Sequence, residues 1–64
     1  MRIDRLKIRS LMTAREITQK DLSARSGISR TSINSVCCGR SCRTETAQRI
    51  AHALGVKVEE LREG

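Results

Sequence analysis

The sequence predicts an all-α domain of five short helices, the second and third folded across a tight turn as a helix-turn-helix. Three observations carry this. No proline interrupts any of the 64 residues, so nothing breaks a helix from within. Apolar residues recur at helical spacing, most cleanly as Ala47, Ile50, Ala51 and Leu54, the stripe of one buried face. The first four helices are bracketed by residues that start or stop one. Asp4, Thr18, Ser29 and Thr44 can cap N-termini, and Gly27, Gly39 and Gly55 can end the helices that follow.

Taken in order, Met1 to Glu16 reads as the first helix, with Asp4 as its cap. Ile8 and Leu11 share its inner face, Leu6 or Arg15 borders it, and Arg5, Lys7 and Arg9 face water. Glu16 and Ile17 form a short connection, with Ile17 turned inward. Thr18 opens the second helix, since its hydroxyl can accept from backbone N–H groups that lack an intrahelical partner. Leu22 buries that helix. Gly27 ends it where the backbone needs positive φ, and Ile28 plugs the turn. Ser29 caps the third helix. Ile33 and Val36 lie three apart and share its inner face, while Arg30, Thr31, Asn34 and Ser35 lie on the other. A helix anchored on one side and able to hydrogen-bond on the other fits the reading helix of a helix-turn-helix. Residues 39–43 form a loop containing Arg40 and Arg43. The fourth helix runs over Thr44–Leu54, with Thr44 as cap and Glu45 suited to the positive end of the dipole. Val56, Val58 and Leu61 then suggest a fifth helix, acidic outside and weakly capped by Lys57. The whole of residues 1–64 reads as one domain.

The totals narrow the function. Thirteen Lys and Arg oppose seven Asp and Glu, for a net charge of +6 and a pI near 10.3. Three of the acids are Glu59, Glu60 and Glu63, so twelve cations face four acids over residues 1–58. A small basic domain attracts polyanions, nucleic acid above all, although a basic surface also serves solubility alone. With no aromatic residue, the core must come from fourteen Ile, Leu and Val and two Met. Three cysteines, two of them adjacent, make no disulfide framework and point to a reducing cytoplasm. No apolar run reaches the length of a membrane span.

Two segments, ITQKDLSARSGIS and IAHALGV, stand in this order and at this spacing. Through them nearly the whole chain resembles the phage repressor and Cro type of helix-turn-helix protein, the lambda-repressor-like family. The resemblance implies a compact five-helix fold. It implies that a helix from about Arg30 to Cys38 enters the major groove of an operator. Carried over residue by residue, Gln19 and Lys20 at the start of the second helix match phosphate-contacting positions, as do Arg40 and Arg43 in the loop. Arg30, Thr31 and Ser35 match positions that face base edges, with Ser29 and Asn34 beside them. The chemistry agrees: Arg binds guanine O6 and N7 in bidentate fashion, Asn does the same for adenine, and the Thr methyl suits thymine. Asn34 also fits as a solvated polar residue, and Gln19 as a helix-start hydrogen-bonder. One reading helix is too little for high specificity, so a homodimer on a two-fold symmetric site is expected on DNA. The apolar residues near Val56, Val58 and Leu61 are the expected contact.

The chain departs from the family pattern in four places. Met12 and Cys37 stand where many members have an arginine and an acid that pair across the first and third helices. We read this as one coordinated swap of an ion pair for thioether and thiol, with the two side chains in or near contact. Glu16 stands where glycine is common. Ser23 stands where alanine is common, and its hydroxyl is expected to bond back to a carbonyl one turn earlier.

Cys37, Cys38, Cys42 and His52 offer soft donors, but their spacing fits no familiar zinc module, and no metal or other cofactor is expected. Nearby Arg40 and Arg43 raise the separate idea of a redox-sensing thiol at Cys38 or Cys42. No nucleophile–base–acid set is present, so a binding module is expected and not an enzyme. A DNA-binding transcription regulator is therefore the leading reading. Its rivals are an antitoxin that also binds a toxin, a thiol- or metal-responsive switch, and an interaction domain that never touches DNA.

Overall fold

The computed structural model describes residues 1–63. They form α1 (Arg5–Ala14), α2 (Gln19–Ser26), α3 (Arg30–Cys37), α4 (Thr44–Leu54) and a single 3₁₀ turn, Val58–Glu60. Local chemistry explains each boundary. Asp4 caps α1, its carboxylate accepting from the N–H groups of Leu6 at 2.9 Å and Lys7 at 3.2 Å. At the far end, Ile17 N–H donates to the Met12 carbonyl and Glu16 N–H to that of Thr13. This paired closure requires a left-handed residue between them, and Glu16 supplies it at φ 53°, the lone non-glycine at positive φ among the described residues.

Thr18 and Asp21 form a reciprocal capping box on α2: Thr18 Oγ1 accepts from Asp21 N–H, and the Asp21 carboxylate accepts from Thr18 N–H. Gly27, at φ 73°, ends the helix. Ser29 then caps α3 by accepting from Ser32 N–H.

The core is aliphatic and sulfurous. Ile8 and Met12 enter it from α1, Leu22 from α2, and Ile33, Val36 and Cys37 from α3. Ala47, Ile50, Ala51 and Leu54 enter from α4, and Ile3, Ile17 and Leu61 from the connections. α2 packs between α3 and α4, and α1 lies against α3. Among the described residues no polar or charged side chain is fully buried.

Five expectations are corrected. First, α1 starts at Arg5. Residues before Asp4 are extended because Ile3 forms an antiparallel bridge with Arg62. Second, there is no fifth α-helix. The chain makes one 3₁₀ turn and is then drawn along the N-terminal segment. Asp4 N–H donates to the Leu61 carbonyl at 2.7 Å, and Glu63 N–H donates to that of Arg2 at 3.0 Å. Those strand-like bonds compete with the coil that a further helical turn would need. Third, Arg43 occupies the cap position of α4, without a side-chain bond, and Thr44 is the first helical residue.

Fourth, Ser23 Oγ donates forward to the Ile28 carbonyl, because the Gly27 turn folds that carbonyl back over it. Ser26 makes the bond one turn earlier instead, to Leu22. Fifth, neither Leu6 nor Arg15 borders the core; both are exposed, Leu6 by 70%.

Candidate nucleic-acid interface

The site is built on α3. Ile33, Val36 and Cys37 are fully buried and fix the helix to the bundle. Arg30, Thr31 and Asn34 project into solvent, and Ser35 is half-buried. The helix is therefore presented by its apolar stripe, and its polar side is left for a partner.

The hydroxyls on this face are partly committed. Ser29 Oγ accepts from Ser32 N–H and donates to Ser32 Oγ at 3.0 Å. Ser35 Oγ donates to the Thr31 carbonyl at 3.1 Å. As arranged, Ser35 offers only acceptor lone pairs outward. Arg30 and Thr31 retain free functional groups, and Asn34 keeps its amide N–H groups.

Gln19, at the start of α2, is half-buried and reaches toward α3. Its Nε2 lies 3.5 Å from Asn34 Oδ1, a long hydrogen bond. One of the expected phosphate ligands thus touches one of the expected base-reading residues. Lys20 is exposed in the first turn of α2, and Arg40 and Arg43 are exposed in the loop after α3. The ion pair among the described residues is Arg49 with Glu45, on α4, so Lys20, Arg30, Arg40 and Arg43 have no carboxylate partner there.

Two cations that the sequence reading left as plain surface belong to this region. Arg9 lines an open groove with Thr18, Gln19 and Cys37. Arg5 lies over Gly39, its Cδ 3.6 Å from where a Cβ would stand. Both sit one turn apart on the α1 face that carries Met12. That four-residue spacing was the signal available in the sequence.

The cysteines are free and differently exposed: Cys37 buried, Cys38 exposed, Cys42 half-buried. Burial pushes the Cys37 thiol above its ordinary pKa; the Arg9 charge and the Gln19 side chain oppose that rise without reversing it. Burial also pushes Cys42 up, against the N-terminal ammonium. A thiol sensor at Cys42 needs the opposite shift. Among the described residues no group of three or more His, Cys, Asp or Glu is arranged to hold a metal. Leu61, expected on the contact surface for a second copy, is fully buried, while Val56 and Val58 are half-buried.

A polar helix face held outward by an aliphatic stripe, across a glycine turn from a capped helix, defines a helix-turn-helix DNA-binding domain. The family model of the Cro/C1-type HTH DNA-binding domain matches residues 7–63, and the chain belongs to that family. Solved structures with the same fold come from longer chains. A mutant of hydroxyethylphosphonate dioxygenase is 25% identical, with a TM-score of 0.88, over 100% of this chain and 14% of its own. PhpD with cadmium, complexed with hydroethylphosphonate, is also 25% identical, with a TM-score of 0.85 and the same coverage. Streptomyces albus HEPD with 2-hydroxyethylphosphonate and Fe(II) bound is 32% identical, with a TM-score of 0.83, over 91% of this chain and 13% of its own. The chain thus spans about one-seventh of those proteins' length. No curated protein matches it.

Proposed function

We propose that this domain is a sequence-specific transcription regulator of the phage repressor or Cro type that lays α3 in the major groove of an operator. One observation carries the reading: Arg30, Thr31 and Asn34 are exposed on the helix that Ile33, Val36 and Cys37 lock in place, with the Arg30 guanidinium and the Thr31 hydroxyl free. Arg30 stands at the first turn, which points most directly at base edges. Gln19, Lys20, Arg40 and Arg43 hold phosphates on either side, and Ser29 and Ser35 complete the contact. Two copies on half-sites about 34 Å apart would supply the specificity that one reading helix lacks. Regulation follows from occupancy of the operator, in the cytoplasm, with no catalytic step.

Selection of bound sites from random duplex DNA tests this. A two-fold symmetric motif is expected, with preference at one base pair lost in Arg30→Ala. Binding that is equal on all sequences would overturn the specific reading.

A second reading has its own support. The structural neighbours carry this fold within much longer chains, one of them described as a dioxygenase, over almost the whole of the present sequence. In that reading the domain is a packing module that does not use α3. The excess of twelve cations over four acids in residues 1–58 favours the DNA reading. The absence of any salt-dependent DNA binding would favour the packing module. An antitoxin role adds a toxin partner to the DNA reading, and co-purification with one would reveal it.

A further inference from the structure

We propose that Met12 and Cys37 form a binding site for a soft monovalent metal ion of the copper(I) class, in the groove beside the start of α2. Met12 Sδ and Cys37 Sγ stand 4.0 Å apart, with no room for an atom between them. Both residues are buried, yet both line an open groove of about 560 Å³ with Arg9, Glu16 and Gln19. The pair therefore has what a purely internal contact lacks, a path by which an ion enters.

The donors select the ion. A thiolate and a thioether are soft ligands and favour copper(I) over harder divalent ions. Two sulfur–metal bonds of about 2.3 Å across the observed separation enclose an angle of about 120°. That angle suits a three-coordinate ion, whose third position opens to the groove and takes water. A structural zinc site needs four ligands. Among the described residues no group of three or more His, Cys, Asp or Glu supplies them.

Charge points the same way. Binding forms one bond from the Cys37 sulfur and one from the Met12 sulfur and releases the thiol proton to solvent; no electron is transferred. The thiolate and a monovalent ion sum to zero, so the complex adds no net charge to a position out of water. A divalent ion leaves a positive charge there, in a groove that already holds Arg9. Met12 lies on α1 and Cys37 on α3. Only the native chain brings the two sulfurs together, so an ion held by both stabilises the fold.

The proposal does not rest on DNA binding, and its test uses no DNA. Cys38→Ser and Cys42→Ser together remove the two other thiols. Copper(I), titrated into that chain without oxygen against a chromophoric chelator, is expected to bind as a single ion per chain and to raise the thermal midpoint. X-ray absorption at the copper edge is expected to show two sulfur neighbours at about 2.3 Å. Met12→Leu keeps the side-chain volume and is expected to weaken binding at least about tenfold, with circular dichroism checking its fold. Should that variant not fold, the sulfur count in the parent decides. Equimolar zinc(II) is expected not to displace the copper. No bound copper, a single sulfur neighbour, unchanged affinity in folded Met12→Leu, or displacement by zinc overturns the proposal.

Discussion

Met12 Sδ and Cys37 Sγ lie 4.0 Å apart, both buried, at the junction of α1 and α3. The two positions read in the sequence as the site of a family ion pair here carry soft, polarisable groups in direct contact. The contact ties the reading helix to the first helix without placing a charge out of water. A buried ion pair recovers its desolvation cost only with good geometry, and apolar replacements of similar volume are often neutral or better.

That contact predicts strong coupling. Met12→Arg alone puts an unpaired charge beside a thiol and is expected to cost about 3 kcal/mol. Adding Cys37→Glu is expected to return most of it. Urea unfolding of the two single variants and the double measures this, and additive losses would count against direct coupling.

Glu16 holds a left-handed conformation, at φ 53°, that costs an ordinary residue about 1–2 kcal/mol. Glycine takes it freely but loses more backbone entropy on folding. Glu16→Gly is expected to stabilise the domain by roughly 0.5–1 kcal/mol, seen as a higher thermal midpoint. Glu16→Val should lower it.

The interface predicts two distinct phenotypes on an operator. Arg30→Ala should cost about 1–3 kcal/mol against one base pair and relax the preference there. Arg40→Ala should weaken all sequences alike and reduce the slope of log K against log salt by about one. Titrations at several salt concentrations, on operator and scrambled duplexes, separate them.

The Thr18–Asp21 box sets an acid limit. The Thr18 N–H and hydroxyl hold the Asp21 carboxyl below its ordinary 3.8. Its stabilisation is present above the unfolded value and is lost as pH falls through the lower, native one. Asp21→Asn is therefore expected to flatten the stability profile below about pH 4 while changing little of its shape near neutrality. Thermal melts from pH 2 to 7 test the sign.

The three thiols should react in order of exposure. Cys38 is expected to label quickly in native protein, Cys42 more slowly, and Cys37 only on unfolding. Mass spectrometry of timed alkylation distinguishes them. Rapid native labelling of Cys37 would contradict its burial.

Much of this was legible because the signals were local. Thr18, Gly27, Ser29 and Gly55 act on neighbours within a turn, and Ala47 to Leu54 repeat within one helix. Such features report themselves in short windows of sequence. The Met12–Cys37 contact was legible by a different route, as a paired departure from a family pattern. What failed was non-local. Ile3 is fully buried and Leu61 is fully buried, yet each is placed by a partner about sixty residues away. Spacing near Leu61 reads as helix because nothing nearby announces the competing bonds to residues 2–4.

The Ser23 hydroxyl was misdirected for a related reason, since its acceptor is carried back by the Gly27 turn. At the candidate site, residue types on α3 were legible from period alone. The bonds that occupy Ser29 and Ser35 were not, because a hydroxyl's partner depends on backbone shape.

Arg2 and Glu63 are joined by a backbone hydrogen bond, and Ile3 faces Arg62. A polypeptide running through this domain consequently enters and departs at neighbouring points. The fold can be spliced into a surface loop of a larger protein like a parenthesis in a sentence, and the host's flanking segments need hardly be spread to receive it.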